Sequence, residues 1–119
     1  MNVPKMLLSF KFAFQGIKVL LHENNARFHL FAAVVVVLTG LLVNLSPTEW
    51  SVTLMLIGLV LMAEAFNTAL EKLCDFVSPD YHPLIGKVKD LSAAAVLIIS
   101  VCAVIIGIII FLPKILANL

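Results

Sequence analysis

A chain of 119 residues with 62% hydrophobic and 13% charged side chains is too short for two ordinary domains and too apolar for a soluble one. Eight basic residues against seven acidic ones leave a formal charge of +1. That supplies neither the basic surplus of a nucleic-acid binder nor an acidic tail for a basic partner. Residues 1–119 read as a single all-α membrane domain.

The first element, Lys5 to Asn24, sets Lys11, Gln15, Lys18 and His22 at helical spacing between Leu7, Phe10, Phe14, Ile17 and Leu21. A lysine-rich stripe opposite an apolar face is the pattern of a helix lying in the headgroup plane. The first residues lack the apolar core and small-residue cleavage site of a signal peptide, so the N-terminus is expected to be retained. Three segments then approach the roughly 20 apolar residues that a bilayer requires: Phe28 to Leu45, Trp50 to Leu70, and Ser92 to Leu112. Asn44, Ser46 and Pro47 mark a tight turn between the first two. Ser78-Pro79-Asp80 and His82-Pro83 mark a longer polar connection, and the last span is expected to end near Pro113. Cys74 and Cys102 have neither metal-type spacing nor a disulfide frame, and read as small buried residues.

Charge placement sets the orientation. Lys5, Lys11, Lys18 and Arg27 precede the first span, Lys72, Lys87 and Lys89 follow the second, and Lys114 alone follows the third. The positive-inside rule puts the N-terminus and the Phe76 to Asp90 connection in the cytoplasm and the C-terminus outside. Seven of the eight basic residues satisfy that arrangement.

Glu64 stands inside the second span. A charge near the bilayer centre costs roughly 2.5 to 3.5 kcal/mol on insertion scales, so such groups face protein or water and usually serve function. At 100° per residue, Glu64, Glu71 and Asp75 fall within about 20° of one line, flanked by Asn67 and Thr68. Glu64 is two turns deeper than Glu71, about 10 Å at the helical rise. The stripe thus leads from water into the bilayer.

Carboxylates at a membrane surface suit Mg²⁺, a hard cation that prefers oxygen ligands and keeps water and phosphate oxygens in its shell. Glu71, with Glu23, offers such ligands, and Lys87, Lys89 and Asp90 lie on the same side. Carboxylates, lysines and a buried Glu at one interface fit phosphoryl transfer, where catalysis is mostly positioning and charge neutralisation. Glu64 is placed to act as a general base towards a hydroxyl arriving from the lipid. Plainer readings exist for several groups: lysines snorkel, Arg27 and Glu23 pair at the surface, Glu49 sits in a solvated outer turn, and His29 and His82 serve as polar boundary residues. No Walker loop, soluble-kinase glycine loop, zinc spacing or serine elbow is present.

The run Glu64-Ala65-Phe66-Asn67-Thr68-Ala69-Leu70-Glu71, then Asp75, His82, Gly86, and Lys89-Asp90 ahead of Ala93-Ala94-Ala95-Val96-Leu97, resembles the prokaryotic diacylglycerol kinase and undecaprenol kinase family over nearly the whole chain. The resemblance implies a small homotrimeric integral-membrane kinase of the bacterial cytoplasmic membrane, using ATP and Mg²⁺ to phosphorylate a lipid alcohol. It implies Glu64 as general base and Glu23 and Glu71 as metal-associated carboxylates. Asn67, Lys89 and Asp90 match positions around the phosphates and the reacting hydroxyl. Asp80, His82 and Gly86 match the connection that helps hold the nucleotide, and Lys5 stands where the family has a basic residue near its N-terminus. Glu23, Asn25, Arg27 and His29 form E-x-N-x-R-x-H, similar to the undecaprenol-kinase branch. The enterobacterial diacylglycerol kinases carry a carboxylate near the His29 position and tryptophan in the N-terminal helix. Undecaprenol is thus the expected acceptor and diacylglycerol the alternative. A small channel or structural subunit is the alternative from another class, though a pore has no need of Lys89-Asp90 and Glu23 beside Glu71.

Overall fold

A computed structural model describes Met1–Leu119 as four helices without strands. The first, α1, spans Val3–Leu20, and its start is fixed by the Asn2 side chain, which accepts from the Lys5 backbone N–H at 3.2 Å. It stops before the expected Asn24, because the N–H groups of Leu21, His22 and Glu23 turn back onto the Ile17, Val19 and Leu20 carbonyls. No α1 residue is buried, and its main contact with the rest of the chain is to α3.

Helix α2 spans Asn24–Val43, starting four residues ahead of the expected Phe28. Arg27 explains the early start: its Nε donates to the Leu21 carbonyl at 2.6 Å, tying the first turn of α2 to the end of α1. The expected Arg27–Glu23 ion pair is therefore not the one formed, and Glu23 faces Lys72 at 3.5 Å instead. At the far end Asn44 takes a left-handed conformation (φ 57°), which asparagine tolerates at a helix terminus. Gly40 is needed just before it. A Cβ there would lie 2.8 Å from the Trp50 ring and 2.9 Å from Leu45, closer than carbon atoms can pack.

Helix α3 spans Pro47–Val77. Its Ser46 cap accepts from the Glu49 N–H at 3.2 Å, the S-x-x-E arrangement of a helix start. At 31 residues it is about 46 Å long, against a hydrocarbon core of about 30 Å. The surplus carries Glu71 and Asp75 past the apolar segment. Helix α4 spans Pro83–Ala117, opened by His82, whose Nδ1 accepts from the Leu84 N–H. The helix itself runs past the expected end of the span near Pro113 to Ala117, with the proline inside it. A proline removes one N–H, but only the last turn follows it. That turn is held by the Asn118 amide donating to the Lys114 carbonyl at 2.7 Å. Lys114 also donates to the Asn44 carbonyl at 3.2 Å and meets Glu49 at 3.4 Å. Glu49 is thus a half-buried ion-pair partner rather than a solvated turn residue.

Helices α2, α3 and α4 are each long and apolar enough to cross a membrane, and the chain is a multi-pass membrane protein. They pack mainly as α3 on α4, with α2 against both. The interior is sparse: Ala26, Leu45, Val60 and Cys74 are its buried apolar residues, while Thr53, Glu64, Asn67, Thr68 and Ser92 are buried and polar. Cys74 is buried as expected, but Cys102 is exposed, as are its α4 neighbours Val101, Val104 and Ile105. In a membrane such a surface faces lipid or another helix rather than water.

Candidate active site

The start of α2, the end of α3 and the start of α4 meet at one end of the bundle, because each short connection reverses the chain. The polar stripe of α3 faces inward there. Glu64 is 2% exposed, and Asn67 and Thr68 are buried beside it. Asn67 links three helical positions: its Nδ2 donates to Glu71 Oε1 at 3.1 Å, and its Oδ1 accepts from Ser92 Oγ on α4 at 2.8 Å. With donor and acceptor both engaged, the amide has one orientation. On the α2 side, His29 Nε2 lies 3.7 Å from Glu64 Oε2.

Towards water the charges alternate. Glu71 is half-buried at the end of the Asn67 bond, Glu23 meets Lys72 at the adjacent α3 position, and Lys89 of α4 donates to Asp75 of α3. That hydrogen bond, helped by the negative charge of Asp75, holds the Lys89 ammonium above the ordinary lysine value despite some desolvation. Lys89 and Ser92 are three residues apart on α4, so one face of that helix supplies both a cation and a hydroxyl to α3.

Of the residues singled out from sequence, Glu64, Asn67 and Glu71 form a continuous group, with Glu23 and Lys89 around its outer end. His82 is occupied as the α4 cap. Gly86 lies under Tyr81, whose ring carbon would be 3.3 Å from a Cβ at that position. Asp80 is exposed and its carbonyl accepts from Ser78 Oγ. Asp90 and Lys5 are exposed, and neither side chain makes a hydrogen bond or ion pair with the group. Ser92, Lys72 and the His29–Glu64 approach are parts of this arrangement that the sequence pattern did not single out. The signal for Ser92 was its place as a lone hydroxyl ahead of three alanines.

No cluster of three His, Cys, Asp or Glu groups stands at ligand spacing. Two carboxylates near water nonetheless match the donor set Mg²⁺ uses with nucleotides, one or two carboxylates with water and phosphate oxygens completing the octahedron. Glu23 and Glu71 fit that description.

A second feature adjoins the group. A cavity of about 610 Å³ opens between α2, α3 and α4, and its walls are almost wholly apolar. Thr39, Thr53 and Ser100 interrupt it, and at the end nearest Glu64 it is lined by Phe28 and His29. An apolar cleft ending beside a buried carboxylate can take an extended lipid and present its polar end to that carboxylate.

The family model described as prokaryotic diacylglycerol kinase matches residues 11–111. The undecaprenol kinase of Bacillus subtilis (strain 168) is 44% identical over 92 residues, 77% of this chain and 75% of that protein. A diacylglycerol kinase of Synechocystis sp. is 35% identical over 116 residues, 96% of this chain and 66% of that protein. The diacylglycerol kinase of Escherichia coli (strain K12) is 45% identical over 47 residues, which is 40% of this chain and 38% of that protein. All three carry kinase names, which counts against the channel or structural subunit. With the model match running from α1 to near the end of α4, the chain belongs to the prokaryotic diacylglycerol kinase family.

Proposed function

We propose that this lipid kinase transfers the γ-phosphoryl group of ATP to undecaprenol, with the active site at the cytoplasmic surface and Glu64 as the general base. The observation carrying this reading is the placement of Glu64: a buried carboxylate 3.7 Å from His29 in the wall of the apolar cleft, one turn from Asn67, which donates to Glu71 at the water boundary. The hydroxyl of the lipid enters from the cleft and the nucleotide from water, so the two substrates meet near Glu64.

The hydroxyl oxygen attacks the γ-phosphorus while its proton passes to Glu64, the bond to the bridging β-γ oxygen breaks, and ADP leaves. Mg²⁺, when bound, neutralises phosphate charge. Glu23 and Glu71 are the residues that would hold it, and Lys89 sets a fixed positive charge at the same level. Asn67, oriented by Ser92, keeps the carboxylates of Glu64 and Glu71 in register. Asp80, His82, Gly86, Asp90 and Lys5 are assigned to the nucleotide side, with Gly86 leaving room for Tyr81.

Orientation and assembly belong to the same reading. Charge placement puts the N-terminus inside and α1 in the headgroup plane. The exposed apolar faces of α2 to α4 and the few buried apolar residues of one protomer fit a homotrimer in the bacterial cytoplasmic membrane. Undecaprenol is favoured over diacylglycerol by the E-x-N-x-R-x-H motif and by the Bacillus subtilis relative. The test is purified protein with labelled ATP and Mg²⁺ against either lipid. Label in undecaprenyl phosphate, in excess over phosphatidic acid at equal acceptor, supports the reading, and the reverse ratio makes the protein a diacylglycerol kinase.

A further inference from the structure

Besides the Asn67 network, Glu64 has one polar neighbour that the mechanism above leaves idle. His29 Nε2 is 3.7 Å from Glu64 Oε2, and the imidazole is only 17% exposed. The same ring forms part of the cavity wall. Phe28 meets the ring edge-on with ring centres 5.8 Å apart and planes at 69°. His29 thus stands in two places at once, in the wall of the apolar cleft and against the carboxylate at its foot. A polar ring facing an apolar cleft costs desolvation unless it has a partner, and Glu64 is the partner this packing provides.

We infer that His29 is the positioning residue for Glu64, holding Oε2 towards the point where the lipid hydroxyl leaves the cleft. The inference rests on the assignment of Glu64 as base. At 3.7 Å the pair is longer than a hydrogen bond, and such contacts in substrate-free sites tighten when substrate arrives. With Nε2 carrying a proton, the ring gives the ionised carboxylate a donor from α2, while Asn67 restrains it along α3. Without His29, Oε2 loses its neighbour on α2 and with it a restraint on its orientation.

Helix α4 reaches this region through Ser92, which is engaged with Asn67, and its Lys89 is engaged by Asp75. Helix α1 packs on α3 with its lysines exposed. His29 is therefore the side chain that another helix sets against the Glu64 carboxylate.

The experiment uses the full chain in detergent or lipid with ATP, Mg²⁺ and undecaprenol, comparing His29→Ala and His29→Gln with the parent and with Glu64→Gln. His29→Ala should lower kcat by roughly 10- to 100-fold with KM for ATP unchanged. His29→Gln, which retains an N–H donor, should recover part or all of kcat. If His29→Ala fails to assemble, His29→Leu, which keeps bulk and lacks a donor, takes its place. Normal kcat in the variant without a donor overturns the inference. Glu64→Gln separates the two ideas. If it is inactive while His29→Ala is normal, only the His29 assignment falls; if Glu64→Gln itself turns over normally, the base assignment falls first.

Discussion

Ser92 Oγ donates to Asn67 Oδ1 at 2.8 Å across the α3–α4 interface, and both residues are buried. Through that bond α4 fixes the amide whose other end holds Glu71. Ser92→Ala should leave Asn67 Oδ1 buried without its donor, at a cost of about 1 to 3 kcal/mol, and should let the amide turn. We expect a fall in kcat of roughly tenfold or more and a lower thermal midpoint. Ser92→Thr, keeping the hydroxyl, should preserve more of both. Equal activity in Ser92→Ala and the parent would remove this bond from the mechanism.

Glu23→Gln and Glu71→Gln should each raise the Mg²⁺ concentration needed for half-maximal rate, since each removes one of two carboxylates available to the metal. Titrating Mg²⁺ at fixed ATP checks this. Unchanged metal dependence in both variants would take these residues out of the metal site.

The Asp75–Lys89 pair has a defined pH window. Asp75 holds the Lys89 proton more tightly than the ordinary value of 10.5. A lysine raised in the folded state contributes stability that is complete below its unfolded value and is lost as pH rises through the folded one. The loss therefore falls in the alkaline range above about 10.5, and the pair stays intact at neutral pH. Asp75→Asn should bring the alkaline decline of ATP binding to lower pH, leaving binding at neutral pH less affected. ATP binding followed against pH in the two proteins provides the comparison.

Gly40→Ala tests the packing at the opposite end. The added Cβ meets the Trp50 ring at 2.8 Å, and such overpacking typically costs about 1 to 3 kcal/mol. Thermal stability should drop, while KM for ATP in the folded fraction should not change, because Gly40 lies at the end of α2 far from Glu23 and Glu71.

Helix order and the inward stripe of α3 were legible because both depend on local periodicity: apolar length gave the spans, and the seven-residue spacing of Glu64 and Glu71 put them on one face. Boundaries were less so. Asn24, Asn25 and Arg27 look like a polar lead-in, yet Arg27 caps the end of α1 from inside α2. Pro113 looks like a stop, yet it falls one turn before the end, where an interrupted ladder costs little. The partnerships of Ser92 with Asn67 and His29 with Glu64 were not legible, because which residues meet across helices depends on axial offset, and a single helix's spacing does not encode that. Cys102 was misread for a related reason: an apolar run reveals that a helix crosses the membrane and not which side faces its neighbours.

Glu64→Gln keeps size and hydrogen-bonding capacity but cannot take a proton from a hydroxyl. Losing an ionisable group at membrane depth relieves a cost, so insertion, assembly and ATP binding should be retained, whereas loss of a general base should slow turnover by about 10² to 10⁴. The decisive measurement is kcat of purified Glu64→Gln with undecaprenol and diacylglycerol, alongside its ATP affinity. Intact ATP binding with a collapse of kcat on both lipids is the expected result, and near-normal turnover on either lipid would contradict the role given to Glu64.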